Sequence, residues 1–331
     1  MIILLFRLLS EKTSFEDPLM PHDLTSIGDI EGANDFLKDV KWLRAGDIAK
    51  KIGKEPVLFK DGPTRFDINQ GELGDCWFLA TLANLPAHPK LFKRVVPSNQ
   101  TFEINPGWYL IVLTTDLLFT HDFLFSGIFH FKFWQYGEWI DVVIDDYLPC
   151  LNDKVAFLQS DHPEEFWTPL VEKAYAKLYG NYSFALNGGL IGSSMEDLSG
   201  GVAESYHDFQ NEPPPFKVML RAYEKGSMMG AAIWAVGNTR ENIDEFGLAD
   251  GHAYSVTKVV EFEAKGEVHQ LVRIRNPWGN ETEWKGAWSD QSENWKIVSD
   301  EEQKKLGLIK EDNGEFFMAY NDFLKVFIQL I

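Results

Sequence analysis

The segment QGELGDCWFLATLANL, residues 70–85, contains Cys76, one of only two cysteines in the chain. Apolar residues after Cys76 recur at intervals of one, three and three, and this spacing predicts a helix with one buried face. A cysteine in the first turn of a helix lies beside the partial positive charge of the helix N-terminus, which favours the nucleophilic thiolate over the thiol. Because intracellular cysteines are most often small buried apolar residues, this segment alone leaves both a nucleophile and a structural thiol open.

The composition is that of a globular protein of about two domains. The chain has 331 residues, of which 14% are aromatic, and that content argues strongly against a disordered chain. Fifty acidic residues against 31 basic ones give a formal net charge of −19, which disfavours nucleic-acid and anionic-membrane partners and is compatible with the capture of cations. Two cysteines cannot build a disulfide framework, so we expect reduced thiols and a cytoplasmic location.

Two apolar stretches have some features of targeting or membrane segments. Residues 1–10 include Arg7 and have neither a basic leader nor a small-residue cleavage site, so we expect no signal peptide. Residues 108–125 have nearly the length of a membrane span, but Asp116, His121 and Asp122 interrupt them. A spanning helix needs about 20 uninterrupted apolar residues, so we expect no stable membrane span.

Several elements are predicted in the first two thirds of the chain. Residues 13–38 are polar and acidic and predict a loose surface arm, with order beginning near Trp42. Alternating aromatic residues predict a β-hairpin over 127–149 with its turn at 136–137. Apolar residues at helical intervals predict a second helix over 164–180 that ends on a glycine.

A glycine-rich passage, residues 187–201, is predicted to be the seam between two halves. Strand patterns dominate after this passage. We therefore predict an α+β protein with an N-terminal arm over 1–41, a helical lobe over 42–200 and a β-rich lobe over 201–331.

The β-rich part supplies two residues that complement the cysteine. Residues 252–279 predict two strands joined by a turn at 264–267, and a ladder folded there brings His252 and Asn276 close to opposite one another, give or take a bulge. An asparagine carbonyl holds an imidazole in the tautomer that accepts a proton from sulfur. Each of the two residues alone has an ordinary structural explanation, but together with Cys76 they indicate a Cys-His-Asn triad.

Gln70 lies six residues before Cys76, in the loop that enters the predicted helix. There its side-chain amide would join the Cys76 backbone N–H as a donor to an oxyanion. From the residues alone, a solvated loop glutamine explains Gln70 equally well.

Five ordered blocks of the sequence resemble the protease core of the calpains: QGELGDCWFLA, GIFHFKFWQYGEWIDVVIDDYLP, EFWTPLVEKAYAK, GHAYSV and RIRNPWG. The resemblance covers roughly Trp42 to the C-terminus. It implies a papain-like, two-lobed cysteine endopeptidase that depends on calcium and cuts proteins to a limited extent. Cys76 would be the nucleophile in the helical lobe, and His252 and Asn276 would lie in the antiparallel β-rich lobe.

Two further residues match the calpain pattern. Gln70 matches the glutamine of the oxyanion hole, and Trp278 matches the tryptophan that covers the His-Asn pair and shields it from water. The resemblance also implies protein substrates and a possible endogenous inhibitor.

The resemblance implies two calcium sites outside any EF-hand, one in each lobe. The first would use the side chains of Asp67 and Glu165 with carbonyls near Lys60 and Gly62. The second would use Glu283, Asp290, Glu315, Asn313 and a carbonyl near Glu311. Hard oxygen ligands on loops lose their mutual repulsion when a cation arrives. Without the resemblance these acids have the pattern of ordinary solvated loop charges.

The sequence departs from the calpain pattern at three places. Asn313 stands where the family has aspartate, and a neutral amide oxygen is the weaker calcium ligand, so the second site is expected to be weakened. Residues 105–126 replace a short acidic join with a longer apolar one. The C2-like and EF-hand domains that usually follow the core do not follow here, which indicates a minimal form or a fragment.

Two alternatives stay open at this point. In the first, the chain is a catalytically silent, calcium-responsive binding protein that keeps the protease core. In the second, it is an acyl transferase of the transglutaminase type, which is less well supported because Asn276 stands where that chemistry uses an acid.

Overall fold

A computed structural model describes residues 14–30, 36–102, 127–235 and 242–331. The apolar segment 105–126 and the first ten residues therefore lie outside the described residues. Within the part that is described, no helix combines the length and apolar character that crossing a membrane requires.

The described elements in chain order are α1 Leu24–Ile27, β1 Lys41–Arg44, α2 Ala45–Lys51, α3 Cys76–Leu82, α4 Pro89–Val95, β2 Ile128–Gln135, β3 Glu138–Asp145, β4 Tyr147–Leu151, β5 Lys154–Val155, α5 Trp167–Tyr179, α6 Tyr182–Leu186, α7 Ile191–Ser199, β6 Tyr206–His207, α8 Phe216–Glu224, β7 Met229–Ile233, β8 His252–Ala264, β9 Glu267–Arg275, α9 Asp300–Leu306, β10 Glu315–Ala319, α10 Tyr320–Val326 and β11 Gln329–Leu330. Short 3₁₀ turns add Phe36–Asp39, Arg65–Asp67, Leu85–Ala87 and Glu293–Ile297.

The chain divides into two compact units. The first unit comprises Met1–Pro63, Phe92–Phe133 and Trp139–Asn187, and the second comprises Thr64–Leu91, Trp134–Glu138 and Gly188–Ile331. The lobe boundaries expected from the sequence, after residues 41 and 200, stay a prediction.

The first unit holds a three-stranded sheet in the order β1-β4-β5 and most of the β2-β3 hairpin. The predicted hairpin turn is confirmed, because Tyr136 and Gly137 both have positive φ, 52° and 89°, as the favoured two-residue hairpin turns require. The predicted second helix is confirmed as α5, which ends at Gly180 with φ 119°. A residue without a Cβ adopts this conformation at little cost.

The prediction of a loose arm with order beginning near Trp42 is wrong for residues 14–30. Five apolar or acidic side chains of this segment are buried, namely Phe15, Asp17, Met20, Ile27 and Ile30. The Asp17 backbone N–H donates to Asp145 Oδ2 over 2.6 Å, and Lys177 Nζ donates to Asp17 Oδ2 over 2.5 Å. The acidic composition of this segment predicted exposure to solvent, but Asp17 is buried and has a partly buried lysine as its partner.

The first unit contains a fully buried ion pair. Lys173 on α5 and Asp145 at the end of β3 both have fully buried side chains, and Lys173 Nζ lies 2.5 Å from Asp145 Oδ1. Lys173 Nζ also donates to the backbone carbonyl of Tyr147 over 2.6 Å. Burial lowers the pKa of Lys173, and the charge of Asp145 opposes that change.

We expect Lys173→Met to lower the free energy of unfolding by about 3–5 kcal/mol, because Asp145 would stay buried without its cation. Urea unfolding followed by circular dichroism measures this loss. The control is Lys296→Met, which removes one side of the exposed pair with Glu293 and should change little. Equal effects of the two substitutions would contradict the argument.

The second unit is built on a six-stranded antiparallel sheet in the order β10-β9-β8-β7-β11-β6. The predicted β8-β9 hairpin is confirmed, with Lys265 and Gly266 both at positive φ, 51° and 80°. Side chains alternate across the sheet, so Val272 and Ile274 join the larger apolar core while Leu271 packs in a second cluster with Trp288 and Trp295. Both faces of the sheet are therefore buried at β9, which makes its register well defined.

Candidate active site

The helix that carries the candidate nucleophile begins at Cys76 itself. Cys76 is partly exposed, and the next six side chains are all buried, namely Trp77, Phe78, Leu79, Ala80, Thr81 and Leu82. The predicted helix is confirmed, but the prediction of a single buried face is wrong, because the helix is buried on all sides after Cys76. Because Cys76 is the first residue of the helix, its backbone N–H has no intrahelical acceptor and stays available to an oxyanion.

His252 and Asn276 are brought together by the β8-β9 hairpin. His252 Nε2 lies 2.9 Å from Asn276 Oδ1, and the two residues are 2% and 0% exposed. The ladder pairs Ser255 with Arg275 and contains a bulge between Val256 and Lys258. Asn276 therefore lies one residue beyond the last pair, and its side chain reaches His252 diagonally.

The orientation of the Asn276 amide fixes the tautomer of His252. Asn276 Nδ2 donates to Thr282 O over 3.0 Å, and Asn276 Oδ1 accepts from the Trp278 backbone N–H over 3.0 Å. The oxygen therefore faces the imidazole, and since it only accepts, the neutral ring carries its proton on Nε2. Nδ1 is then the ring nitrogen that accepts a proton, which is the tautomer a thiol nucleophile needs.

Aromatic rings enclose the imidazole. The ring centroid of Trp278 lies 4.8 Å from that of His252, and Tyr254 meets the His252 ring edge-on at 4.9 Å and 89°. Tyr254 is fully buried, and its hydroxyl both donates to Ala249 O and accepts from Ala249 N. The His-Asn hydrogen bond is thus kept away from water, where it is electrostatically stronger.

Gln70 lies on the loop before α3 and is attached to the His-Asn segment. Its backbone N–H donates to Pro277 O over 2.9 Å, and its side-chain Nε2 donates to Leu73 O over 2.7 Å. The second bond uses one of the two N–H groups of the amide and fixes the plane of the amide. The other N–H is left for a further acceptor.

The second set of acids predicted to bind calcium lies in the second unit. Glu283 Oε1 accepts from the backbone N–H groups of Asn313 and Gly314, over 3.1 and 2.7 Å. Both carboxylate oxygens of Asp290 are buried without a hydrogen bond of normal geometry. Asn313 Oδ1 accepts from the Glu315 backbone N–H over 2.9 Å.

Burial raises the pKa of both central acids to about 7. For Glu283 the charge of Asp290 adds to burial, and the backbone N–H groups of Gly314 and Asn313 oppose it. For Asp290 the Glu311 backbone N–H and the charge of Lys310 oppose the effect of burial, and the charges of Glu315 and Asp312 add to it. A cation bound between two carboxylates with raised pKa values would stabilise their charged forms.

Glu315 has a different partner from the other predicted ligands. Its carboxylate accepts from Arg65 Nε and Nη2, both over 2.7 Å, and from Thr257 Oγ1 over 2.8 Å. The pKa of Glu315 is lowered, because these bonds and the charge of Arg273 outweigh burial. The Glu311 residue is exposed, and the part of it predicted to bind calcium is its backbone carbonyl.

The first predicted calcium set is divided between the two units. In the first unit, Glu165 Oε1 accepts from the Lys60 backbone N–H and Glu165 Oε2 from Ser160 Oγ, both over 2.5 Å, and Gly62 has φ 92°. In the second unit, Asp67 accepts from the Thr64 backbone and hydroxyl over 2.7 and 2.6 Å. Each carboxylate is thus held by loop hydrogen bonds. Among the described residues no group of three or more His, Cys, Asp or Glu side chains is arranged to hold a metal ion.

Comparison with known proteins decides the family. The family model described as calpain family cysteine protease matches residues 15–331. The chain belongs to the calpain family. The expected α+β, papain-like fold of a calpain protease core is thereby confirmed.

Curated relatives are calpains of animals. The chain is 42% identical to Calpain-A of Drosophila melanogaster over 325 residues, 96% of this chain and 36% of that protein. It is 42% identical to the Calpain-2 catalytic subunit of Gallus gallus over 320 residues, 96% of this chain and 42% of that protein. It is 44% identical to human Calpain-9 over 287 residues, 85% of this chain and 37% of that protein. The chain thus spans about two fifths or less of the length of these relatives.

In this calpain-family chain, three residues of the second set suit a calcium ion, namely Glu283, Asp290 and Asn313. They offer oxygen ligands, and the buried Asp290 carboxylate has no hydrogen bond of normal geometry to either oxygen, so its charge is poorly stabilised. Sequence reasoning missed two contributors, the Arg65 partner of Glu315 and the acid Asp312. Asp312 directly precedes Asn313, and that adjacency was a readable signal, whereas nothing in the sequence linked residues 65 and 315.

Proposed function

We propose that this chain is the protease core of a calcium-dependent cysteine endopeptidase. Cys76 is the nucleophile, His252 the acid-base group, Asn276 the residue that orients it, and Gln70 an oxyanion donor. The observation that carries the proposal is the 2.9 Å bond from His252 Nε2 to Asn276 Oδ1, with the amide orientation fixed from both ends. Membership of a cysteine protease family supports the same chemistry.

The proposed reaction starts with proton transfer from Cys76 Sγ to His252 Nδ1. The thiolate then attacks the carbonyl carbon of the scissile peptide, and the C–O π electrons move onto oxygen. The oxyanion is held by the Cys76 backbone N–H and the Gln70 amide. When the C–N bond breaks, His252 gives its proton to the leaving amine and a thioester remains.

Water completes the cycle in the second half-reaction. His252 takes a proton from water as the water oxygen attacks the thioester carbonyl, and the same two donors hold the second oxyanion. The C–S bond breaks, the carboxylic acid leaves, and the proton on His252 returns to sulfur. The ring keeps its orientation in both halves, because Asn276 Oδ1 holds Nε2–H throughout.

Calcium, when bound, supplies positive charge that offsets the repulsion between acidic loops. Glu283, Asp290 and Asn313 would hold it in the second unit, with the Glu311 carbonyl. Glu315 is the fourth side chain proposed for this site, and joining the site would require it to exchange Arg65 for the cation. Asp67, Glu165, Lys60 and Gly62 stay the proposal for a first site.

Substrates, location and other partners are part of the proposal. We propose that the substrates are proteins cut at exposed, extended segments and that the chain acts in the cytoplasm. Its net charge of −19 supports the absence of nucleic-acid partners. The proposal of an endogenous inhibitor among the partners rests on family membership alone.

We expect Gln70→Ala to lower kcat about 10²-fold with little change in KM, because one oxyanion donor is lost in the transition state. Steady-state hydrolysis of a fluorogenic peptide at saturating calcium measures both constants. A matched control is Gln159→Ala, which removes a side-chain amide that likewise donates to a backbone carbonyl, that of Val155. If Gln70→Ala behaves as the control does, Gln70 has no part in the oxyanion hole.

Calcium titration of peptide hydrolysis by the 331-residue chain tests the proposed function as a whole. We expect hydrolysis to rise with calcium, to be negligible in excess chelator, and to be blocked by a thiol-reactive active-site probe. A chain that binds calcium and reacts with the probe but hydrolyses no peptide would instead be the catalytically silent binding protein. Incorporation of an amine in place of hydrolysis would indicate the acyl transferase.

A further inference from the structure

The helix that carries Cys76 has an unusual C-terminal end. In an α-helix the Asn84 backbone N–H would bond to Ala80 O, but here it donates to Thr81 O over 3.0 Å. Leu79 O is satisfied by the Ala83 backbone N–H over 2.9 Å. Neither of these backbone N–H groups bonds to Ala80 O, so this carbonyl at the helix end needs another donor.

Two side chains satisfy this carbonyl. Ser255 Oγ donates to Ala80 O over 2.8 Å, and Asn84 Nδ2 donates to it over 2.9 Å. Asn84 Nδ2 also lies 3.0 Å from Met229 O at the start of β7. Both side chains are buried, since Ser255 is 0% exposed and Asn84 is 7% exposed.

Ser255 lies on β8, three residues after His252, and Ala80 lies one helical turn after Cys76. The peptide group of Ala80 thus faces in two directions. As in any α-helix, its N–H is directed to the Cys76 carbonyl four residues earlier. Its C=O accepts from the strand that carries the imidazole.

We propose that Ser255 and Asn84 are positioning residues that set the alignment of the Cys76 thiol with His252. The inference rests on the proposed function of those two residues. The helix has seven residues, too few to be stable alone, so its position depends on what it packs against. Apolar packing against the sheet is not directional, whereas the bond from Ser255 to Ala80 O and the bond from Asn84 to Met229 O are directional and tie the end of the helix to β8 and β7.

Alignment matters because proton transfer between sulfur and nitrogen requires close contact. A displacement of about 1 Å at a reacting group costs as much as 10²-fold in rate. If the Cys76 thiol and the His252 imidazole lie farther apart, the imidazolium stabilises the thiolate less, so the thiolate forms at higher pH.

The test is Ser255→Ala in the full chain. Asn84 still bonds to Ala80 O in this variant, so no buried carbonyl is left unsatisfied and the fold is retained. We expect kcat to fall about tenfold with KM changed less than about twofold, because only the alignment of the reacting groups is altered. The acid limb of the pH profile for alkylation by iodoacetamide should move to higher pH.

The alkylation readout is specific to one thiol. Cys150 is 1% exposed, and burial raises its pKa to about 12, so it does not react in the range measured. The matched control is Ser26→Ala, which removes another buried hydroxyl that donates to a backbone carbonyl, Pro21 O, in the first unit. It should leave both kcat and the alkylation profile unchanged.

A second variant, Asn84→Ala, removes two bonds and should shift the profile further than Ser255→Ala. A wild-type alkylation profile in both variants would overturn the inference, as would an equal shift in Ser26→Ala. The proposed function fails separately, if the wild-type chain hydrolyses no peptide in calcium. The alkylation profile still tests the positioning role in that case, because it needs the thiol and not turnover.

Discussion

Replacing Cys76 by serine is expected to lower kcat for peptide hydrolysis by at least about 10⁴-fold, as removal of a nucleophile does in other triad enzymes. A serine hydroxyl is a far weaker acid than a thiol, and the role proposed for His252 is to form an ion pair with the Cys76 thiolate. Stopped assays with a fluorogenic peptide at saturating calcium measure the loss. Reaction with iodoacetamide should disappear together with hydrolysis, because the other thiol is buried.

The same variant should keep its fold and its response to calcium. Cys76 is partly exposed and its side chain contributes little to the core, and the hydrogen bonds described for Glu283 and Asn313 are made with residues 313–315. Thermal unfolding with and without calcium checks both points. Residual hydrolysis above about one per cent of wild type would mean that another residue is the nucleophile.

Much of the site was predictable because it depends on local patterns. The β8-β9 hairpin followed from alternating residues and a two-residue turn at Lys265 and Gly266, and a hairpin with a known turn has a known register to within one bulge. That register alone brought His252 near Asn276. The helix start at Cys76 followed equally from apolar spacing.

The parts that could not be predicted depend on contacts between distant segments. Residues 14–30 are polar in composition, and only the tertiary structure gives Asp17 its partners Asp145 and Lys177. The bidentate pair of Arg65 with Glu315 joins residues 250 apart in sequence. Periodicity carries no information about such pairs, since it reports which face of an element is buried and not what lies opposite.

The Asn276 amide illustrates the same division. Its identity was readable, but its orientation depends on Thr282 O and on the Trp278 backbone N–H. These two bonds come from the turn that follows β9, and no sequence pattern specified that turn. The structure therefore adds the tautomer of His252 to a triad that the sequence had already indicated.

Asp290→Asn is expected to raise the calcium concentration for half-maximal hydrolysis at least about tenfold, because a buried carboxylate ligand becomes a neutral amide. The same change should stabilise the calcium-free chain. In the wild type, burial raises the pKa of both Asp290 and Glu283 to about 7, and the charge of Asp290 adds to the rise at Glu283. Removing one carboxylate relieves that repulsion, so the two effects have opposite signs.

The pH dependence of the calcium-free chain separates this explanation from a simple loss of folding. Carboxyl groups with a raised folded pKa contribute stability below their unfolded pKa, near 4, and that stability is lost as pH rises through about 7. Calcium-free wild type should therefore melt at a lower temperature at pH 8 than at pH 5, and Asp290→Asn should show a smaller decrease. The control Asp141→Asn, at an exposed pair with Lys132, should follow wild type in both calcium response and pH dependence. An unchanged calcium requirement in Asp290→Asn would show that Asp290 is not a calcium ligand, whatever its effect on melting.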